Sequence, residues 1–103
     1  MSEPLPSISP TESVIIDLLR GRERYGLELV DQSGGLLKRG SVYVLLARME
    51  AKGFVTSRLD DSPRPPAGAT RRLYVATPYG LKVHQAYGLL RDALALRPSG
   101  VRP

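Results

Sequence analysis

The basic side chains in the middle of the sequence are the residues whose type and spacing most clearly suggest chemistry. The chain has 103 residues and a formal net charge of +5. Residues 38–82 contain nine Lys or Arg and three acidic residues, whereas residues 1–37 contain three Arg and six acidic residues. A basic region beside an acidic one is typical of a surface that binds nucleic acid. A solvated basic face without a partner explains the charge alone equally well.

A helix is predicted from Ser41 to Lys52, and its two faces differ in character. The apolar residues recur at helical spacing and predict a buried face, made of Val42, Leu45, Leu46 and Met49. The predicted outward positions are mostly small or polar, namely Ser41, Tyr43, Val44, Ala47, Arg48, Ala51 and Lys52. A helix that enters the DNA major groove needs small residues where it approaches closely and a few long donors between them. An ordinary solvated helix, rich in alanine for its helix propensity, is the alternative.

Within this helix we expect Arg48 to pair with guanine, and Ser41 and Tyr43 to bind phosphate near the amino end. Lys38 and Arg39 precede the helix and are predicted phosphate contacts. Further arginines lie in and beside a proline-rich loop, where we expect them to contact phosphates and not to recognise bases. Neighbouring aspartates weaken the positive field of these arginines. The alternative is that the arginines only keep the hairpin soluble. The complete predicted DNA-binding set is Lys38, Arg39, Ser41, Tyr43, Val44, Ala47, Arg48, Lys52, Arg64, Arg71 and Arg72.

Residue types that build catalytic or metal sites are scarce or scattered. The absence of cysteine excludes a disulfide framework and a thiolate zinc site. His84 is the only histidine, and the carboxylates form no paired acid–base site. We therefore expect no enzyme, no metal and no cofactor. The apolar runs are too short to span a membrane, and Met1-Ser2-Glu3-Pro4 lacks the features of a secretory signal, so we expect a cytoplasmic protein.

The elements that must position these residues can be read from caps and turns. Ser9-Pro10-Thr11-Glu12 is a strong helix start with a capping box, and that helix should end near Gly21. A shorter helix follows from Tyr25 and ends in a serine–glycine cluster. Strands are predicted at 54–59 and 71–76, with a long loop between them, and Thr77-Pro78 starts a last helix.

The predicted fold class is mainly α with a small β-hairpin, in the order α-α-α-β-β-α. Three helices followed by a hairpin are typical of a winged helix-turn-helix, in which the hairpin loop is the wing. The predicted boundaries are a flexible leader at 1–8, a DNA-binding domain at 9–76, a dimerisation helix at 77–97 and a flexible tail at 98–103. Within the domain, the recognition helix is predicted at about 41–52 and the wing at about 54–76.

The last helix carries an apolar band that is wide for the end of so small a core. A two-fold homodimer would bury this band and place two recognition helices on one side of the DNA. The alternative is a helix that folds back entirely onto its own core. The predicted dimer interface is Val14, Ile15, Leu18, Val83, Ala86, Tyr87, Leu90 and Leu94.

Three spaced motifs resemble the PadR family of bacterial transcriptional regulators. They are Tyr25-Gly26-x-Glu28-Leu29, the run from Gly40 to Val55, and Arg71-Arg72-Leu73-Tyr74 followed by Thr77 and Gly80. The resemblance covers about residues 10–97, and the sequence departs from the family pattern at Val44 and Ala47. It implies a homodimer that represses transcription by occupying a palindromic operator. It also allows a small-molecule effector, for which the residues themselves give no support.

A winged-helix module that binds a protein partner is the alternative function. The basic surface is interrupted by Asp60, Asp61 and Ala47. This interruption makes the sequence compatible with a protein partner. Binding of duplex DNA across a salt series distinguishes the two hypotheses.

Overall fold

The computed structural model describes residues 6–60 and 72–95, which form four helices and one small sheet. The elements are α1 (Pro10–Leu19), β1 (Arg24–Tyr25), α2 (Gly26–Gln32), α3 (Arg39–Ala51), β2 (Val55–Leu59), β3 (Arg72–Ala76) and α4 (Pro78–Ala95). The predicted α+β class, its four helices and its hairpin are confirmed. Outside the described residues lie most of the predicted loop at 60–70, the first residue of the strand predicted at 71–76, the end of the predicted last helix and the predicted tail.

The sheet has one strand more than the sequence predicted. Its order is β1-β3-β2, and all pairs are antiparallel. Val55 pairs with Ala76 and Leu59 with Arg72 in the hairpin, while Arg24 of β1 pairs with Tyr74. A strand of two residues is too short to show alternation, so the sequence did not predict β1. Tyr25, predicted at the start of α2, is the N-cap residue of that helix and also the last residue of β1, and its backbone N–H donates to the Glu28 carboxylate at 2.8 Å.

Helix α1 begins as the sequence predicted. The Ser9 hydroxyl accepts a hydrogen bond from the Glu12 backbone N–H at 3.1 Å, and the Glu12 carboxylate accepts one from the Ser9 N–H at 2.9 Å. These two bonds form the capping box, with Pro10 at the first helical position. The helix ends at Leu19, just before Gly21, whose φ of +79° favours glycine.

One hydrophobic core joins the helices to the inner face of the sheet. On α3 it includes Val42, Leu46 and Met49, as predicted, whereas Leu45 is half-buried. The remaining fully or nearly fully buried apolar residues are Ile15, Ile16, Leu19, Leu29, Leu37, Phe54, Val55, Tyr74 and Val83. The inner side of α3 is therefore held by α1, α2 and the hairpin together.

A tight joint connects α3, β2 and α4. The turn after α3 passes through Gly53, whose φ is +83°. The Thr77 hydroxyl donates to the Gly53 carbonyl at 2.6 Å and accepts from the Gly80 N–H at 2.9 Å. Gly80 itself lies against the Phe54 backbone, where a Cβ would overlap the carbonyl group. This joint explains why a strand follows α3 at once, because the hairpin and α4 close the same end of the core.

In the part of the chain that the structure describes, no helix combines the length and the apolar character that crossing a membrane requires.

Candidate nucleic-acid interface

The outer face of α3 is smooth and exposed. Successive residues of an α-helix are rotated by about 100°, so Val42, Leu46 and Met49 fall within about 60° of one another. Val44 and Ala51 then lie about 180° from the middle of that buried sector. Val44 is 61% exposed, and Ala47, Arg48 and Ala51 are exposed as well. The centre of this face is therefore apolar and carries only short side chains, and the long Arg48 side chain lies at its margin.

The amino end of α3 begins two residues earlier than predicted. Lys38 is the N-cap residue, and its carbonyl accepts from the Val42 N–H at 2.9 Å. Ser41 therefore lies in the first turn and does not cap the helix, which corrects the predicted boundary. The side chain of Lys38 does not cap the helix either. Lys38, Arg39 and Ser41 are all exposed around this end, where free backbone amides favour an anion.

Tyr43 does not face outward as the sequence predicted. Its ring packs against Gly26 of α2, and a Cβ at that position would come within 2.5 Å of a ring carbon. The hydroxyl oxygen is buried and has no hydrogen-bond partner among the described residues. The prediction of phosphate contact by Tyr43 is therefore wrong for this arrangement, because the small Gly26 lets the ring fold inward between two helices.

Lys52 was predicted as an outward DNA contact, but its amino group turns toward α1. Its Nζ atom lies 2.9 Å from one carboxylate oxygen of Glu12 and 3.1 Å from the other. The Glu12 side chain is only 2% exposed. The Lys52 amino group also lies 5.4 Å from the centre of the Phe54 ring. Lys52 thus forms an ion pair within the chain, so its amino group does not point outward as the sequence predicted, and contact with DNA stays a prediction.

Arginines of the hairpin are engaged in bonds to neighbouring side chains. Arg72 donates to the Ser57 hydroxyl at 3.0 Å, and that hydroxyl also bonds to the Glu50 carboxylate of α3. Arg58 donates to both carboxylate oxygens of Glu23, at 2.7 and 2.8 Å, and this hydrogen bonding lowers the pKa of Glu23. Arg72 is exposed and stays a predicted phosphate contact, while Arg64 and Arg71 lie outside the described residues.

Asp60 at the base of the wing is buried, a feature that the sequence did not reveal. Only 7% of the residue is exposed, and the Tyr25 hydroxyl donates a hydrogen bond to its carboxylate. This bond and burial raise the pKa of Tyr25. Asp60 was expected to weaken the field of the wing, but the contact with Tyr25 instead ties the end of β2 to β1. No local sequence pattern predicts the contact between Tyr25 and Asp60, because the two residues are 35 positions apart in the chain.

The predicted dimer-interface residues differ widely in their exposure. Ile15 is 0% exposed, so it belongs to the core of the chain itself and its assignment to a partner contact is wrong. Val83 is 6% exposed and packs mainly in the same core. Leu90 and Leu94 are 54% and 57% exposed on the second half of α4. Ala86 is exposed as well, and the remaining three, Val14, Leu18 and Tyr87, are half-buried.

The middle of α4 is bonded to other parts of its own chain. The Tyr87 hydroxyl donates to the Pro6 carbonyl at 2.6 Å, and Ile8 packs against the core, so the end of the predicted leader contacts the domain. His84 lies between two α1 side chains, with Nδ1 2.6 Å from the Ser13 hydroxyl and Nε2 3.4 Å from the Asp17 carboxylate. It therefore connects α4 to α1 within the chain.

The helices, the hairpin and the exposed α3 define a winged helix-turn-helix protein. The model of the PadR-like family of transcriptional regulators matches residues 15–86. The chain belongs to this family and is therefore a transcriptional regulator. Members of the family act by binding DNA and are not enzymes. A search among curated proteins gives no match.

Solved structures of transcriptional regulators share the fold. A PadR family transcription regulator from Clostridium difficile R20291 is 24% identical, with a TM-score of 0.68 over 84% of this chain and 92% of that one. A PadR-like transcriptional regulator from Bacillus cereus is 26% identical, with a TM-score of 0.60 over 84% and 91%. A putative transcriptional regulator from Thermoplasma acidophilum is 28% identical, with a TM-score of 0.59 over 81% and 85%.

Proposed function

We propose that this regulator is a homodimeric, cytoplasmic repressor that places α3 of each subunit in the major groove of a palindromic operator. The observation that carries the proposal is the exposed outer face of α3. It presents Val44 and Ala51 at its centre, with Ala47 and Arg48 on either side of them. Small residues allow close approach to the base edges, and Arg48 supplies the two donors that guanine accepts.

Phosphate contacts would hold the helix in the groove. Lys38 and Arg39 are exposed at the amino end of α3, and Arg72 is exposed on the hairpin beside it. Charged side chains that touch phosphates fix the position of a protein on the duplex but carry no sequence information. We therefore assign base recognition to the outer face of α3 and positioning to these three residues.

The second half of α4 supports the homodimer. Leu89, Leu90 and Leu94 are 64%, 54% and 57% exposed. Next to them lies an apolar groove of about 510 Å³, lined by Pro6, Tyr79, Lys82, Val83, Ala86, Tyr87 and Leu90. A second α4 that packs here buries the leucines, and a two-fold axis then presents two α3 helices to half-sites about 34–36 Å apart.

Occupancy of the operator by the proposed dimer would by itself repress transcription. A dimer that covers two neighbouring half-sites excludes other proteins from the same stretch of DNA. The palindrome follows from the two-fold axis, because each subunit meets the same half-site in opposite direction.

Selection of bound duplexes from a random DNA pool tests the proposal. We expect an inverted repeat, and a binding constant whose logarithm falls with log salt concentration by about 0.9 for each phosphate contacted. A pool that stays random, with no duplex binding even at low salt, would refute DNA recognition and favour the protein-partner alternative. A direct repeat or a single half-site would refute the two-fold dimer on DNA.

A further inference from the structure

We propose that Val44 recognises the C5-methyl group of a thymine in each operator half-site, within about two base pairs of the guanine bound by Arg48. The inference rests on the proposed function, because it requires the outer face of α3 to enter the major groove. It adds a specificity-determining residue and a chemical feature of the DNA that the residue reads.

Val44 occupies the outermost line of α3. It lies about 180° from the middle of the buried sector, and 61% of it is exposed. A β-branched residue is less favourable than alanine in a helix, and an exposed one contributes nothing to the core. Neither helix propensity nor packing within the described chain therefore accounts for valine here, whereas contact with an apolar ligand group does.

The surroundings of Val44 allow that contact to be close. Ala47 and Ala51 lie on the same face, and Gly40 precedes Val44 by one turn with open space at its Cβ position. Two long side chains that the sequence suggested for this helix point away. Tyr43 is folded against Gly26, and Lys52 is bound to Glu12. The helix can approach the base edges until its valine methyl groups touch them.

The major-groove edge offers one apolar group for such a contact. Thymine carries a C5-methyl group there, while the other groups that distinguish base pairs are hydrogen-bond donors and acceptors. An isolated valine gains nothing from an amino or carbonyl group, but it gains from excluding water between itself and a methyl group. The chemistry of Val44 therefore selects thymine, and 5-methylcytosine presents the same methyl group.

The charges around Val44 favour DNA over an apolar protein partner. Arg48 lies one turn further along α3, and Lys38 and Arg39 are exposed at its amino end. The cations around this apolar residue can contact the phosphates that border the DNA groove, while the residue itself contacts the base edges. Val44 and Arg48 are about 6 Å apart along the helix axis, which corresponds to about two base-pair steps of 3.4 Å. This spacing sets the distance between the thymine and the guanine.

Replacement of thymine by uracil tests the inference, because it removes the methyl group and leaves base pairing unchanged. Duplexes obtained by selection are synthesised with uracil at one thymine position at a time, and affinities of the wild-type protein are measured by fluorescence anisotropy. One methyl-sized group removed from the interface corresponds to about 0.8 kcal/mol, so we expect affinity to fall about 4-fold at one position in each half-site. Substitution in both half-sites should reduce affinity about 15-fold.

Two variants assign the effect to Val44. In Val44→Ala the penalty for uracil should disappear at that position. The variant should be no less stable to heat than wild type, because the side chain is exposed and alanine has the higher helix propensity. In Arg48→Ala, the matched control on the same face, overall affinity should fall while the uracil penalty persists. A selected half-site without thymine, a uracil scan without any penalty, or an equal penalty in Val44→Ala would overturn the inference. These results leave the proposed function intact, whereas absence of any preferred duplex overturns both.

Discussion

The amino group of Lys52 lies 2.9 Å from a carboxylate oxygen of Glu12, and this contact ties the carboxyl end of α3 to the first turn of α1. Glu12 is buried and also accepts the Ser9 N–H that completes the α1 capping box. The same carboxylate therefore starts one helix and fixes the end of another. Because α3 is the helix that we place on DNA, the pair helps to set its angle.

Replacement of Lys52 by Met should lower the free energy of unfolding by about 2 kcal/mol. Breaking a buried ion pair costs about 3–5 kcal/mol when the remaining charge has no partner. The expected loss is smaller here because the Lys52 side chain is 34% exposed and water can partly replace it. Urea denaturation measures the change, and Arg48→Met, at an exposed position of the same helix, should stay within about 0.5 kcal/mol of wild type.

The same variant distinguishes a structural role of Lys52 from a DNA contact. If Lys52 binds only within the chain, Lys52→Met keeps the salt dependence of DNA binding. A decrease of the slope by about 0.9, the value expected for one lost phosphate contact, together with unchanged stability would show that Lys52 touches DNA.

Replacement of Gly80 by Ala should destabilise the fold by about 1–3 kcal/mol, the usual cost of overpacking a core. A Cβ at position 80 would overlap the backbone carbonyl of Phe54, which cannot move without shifting the whole joint. Gly88→Ala is the matched control in the same helix, because the atom nearest to its Cβ position is the far end of the flexible Arg91 side chain, at 4.0 Å. That variant should be stabilised by about 0.5–1 kcal/mol through helix propensity. Thermal or urea unfolding that ranks the two variants in the opposite order would contradict the close approach at Gly80.

Replacement of Leu90 by Glu should weaken the proposed dimer by at least about tenfold, or about 1.4 kcal/mol. Leu90 is 54% exposed on α4, so a charge there is solvated in the monomer and buried in the dimer. Sedimentation equilibrium gives the dissociation constant. Leu36→Glu, at a 50% exposed leucine before α3, should leave the dimer unchanged. Equal dimerisation of both variants and wild type would remove α4 from the interface.

Alkaline titration should reveal the contact between Tyr25 and Asp60. The hydrogen bond to Asp60 and burial favour the protonated phenol, so the pKa of Tyr25 lies above its ordinary value of 10.0. A raised folded-state pKa means that the contribution to stability is complete below pH 10 and is lost as pH rises through the raised pKa. Tyr25→Phe should remove a late-ionising tyrosine from the absorbance titration. The difference between the titration curves of wild type and Tyr25→Phe gives the ionisation of Tyr25. If Tyr25 ionises near pH 10 or below, its contact with Asp60 does not exist in solution.

Local features of the sequence were sufficient to predict some elements but not the contacts between distant ones. The start of α1 could be predicted because Ser9, Pro10 and Glu12 act within one turn. The buried face of α3 followed from apolar periodicity. Strand β1 could not be predicted, because two residues show no alternation and its pairing with β3 spans nearly 50 residues.

The site residues show the same division. Arg48 and Val44 face outward as the helical spacing predicted. Tyr43 and Lys52 have outward or marginal positions on a helical wheel, yet each is held by a residue of another helix, Gly26 and Glu12 respectively. Such partners are far away in sequence, so a single helix cannot reveal which of its long side chains is already engaged.

The most direct test of the central claim compares Arg48→Ala with Lys38→Ala on a selected operator and on a random duplex. If α3 reads bases through its outer face, Arg48→Ala lowers the preference for the operator, with a cost of about 1–3 kcal/mol for the lost guanine contact. Lys38→Ala should weaken binding to both duplexes alike and reduce the salt slope by about 0.9. An Arg48→Ala protein that keeps wild-type affinity and preference would contradict the placement of this face in the major groove.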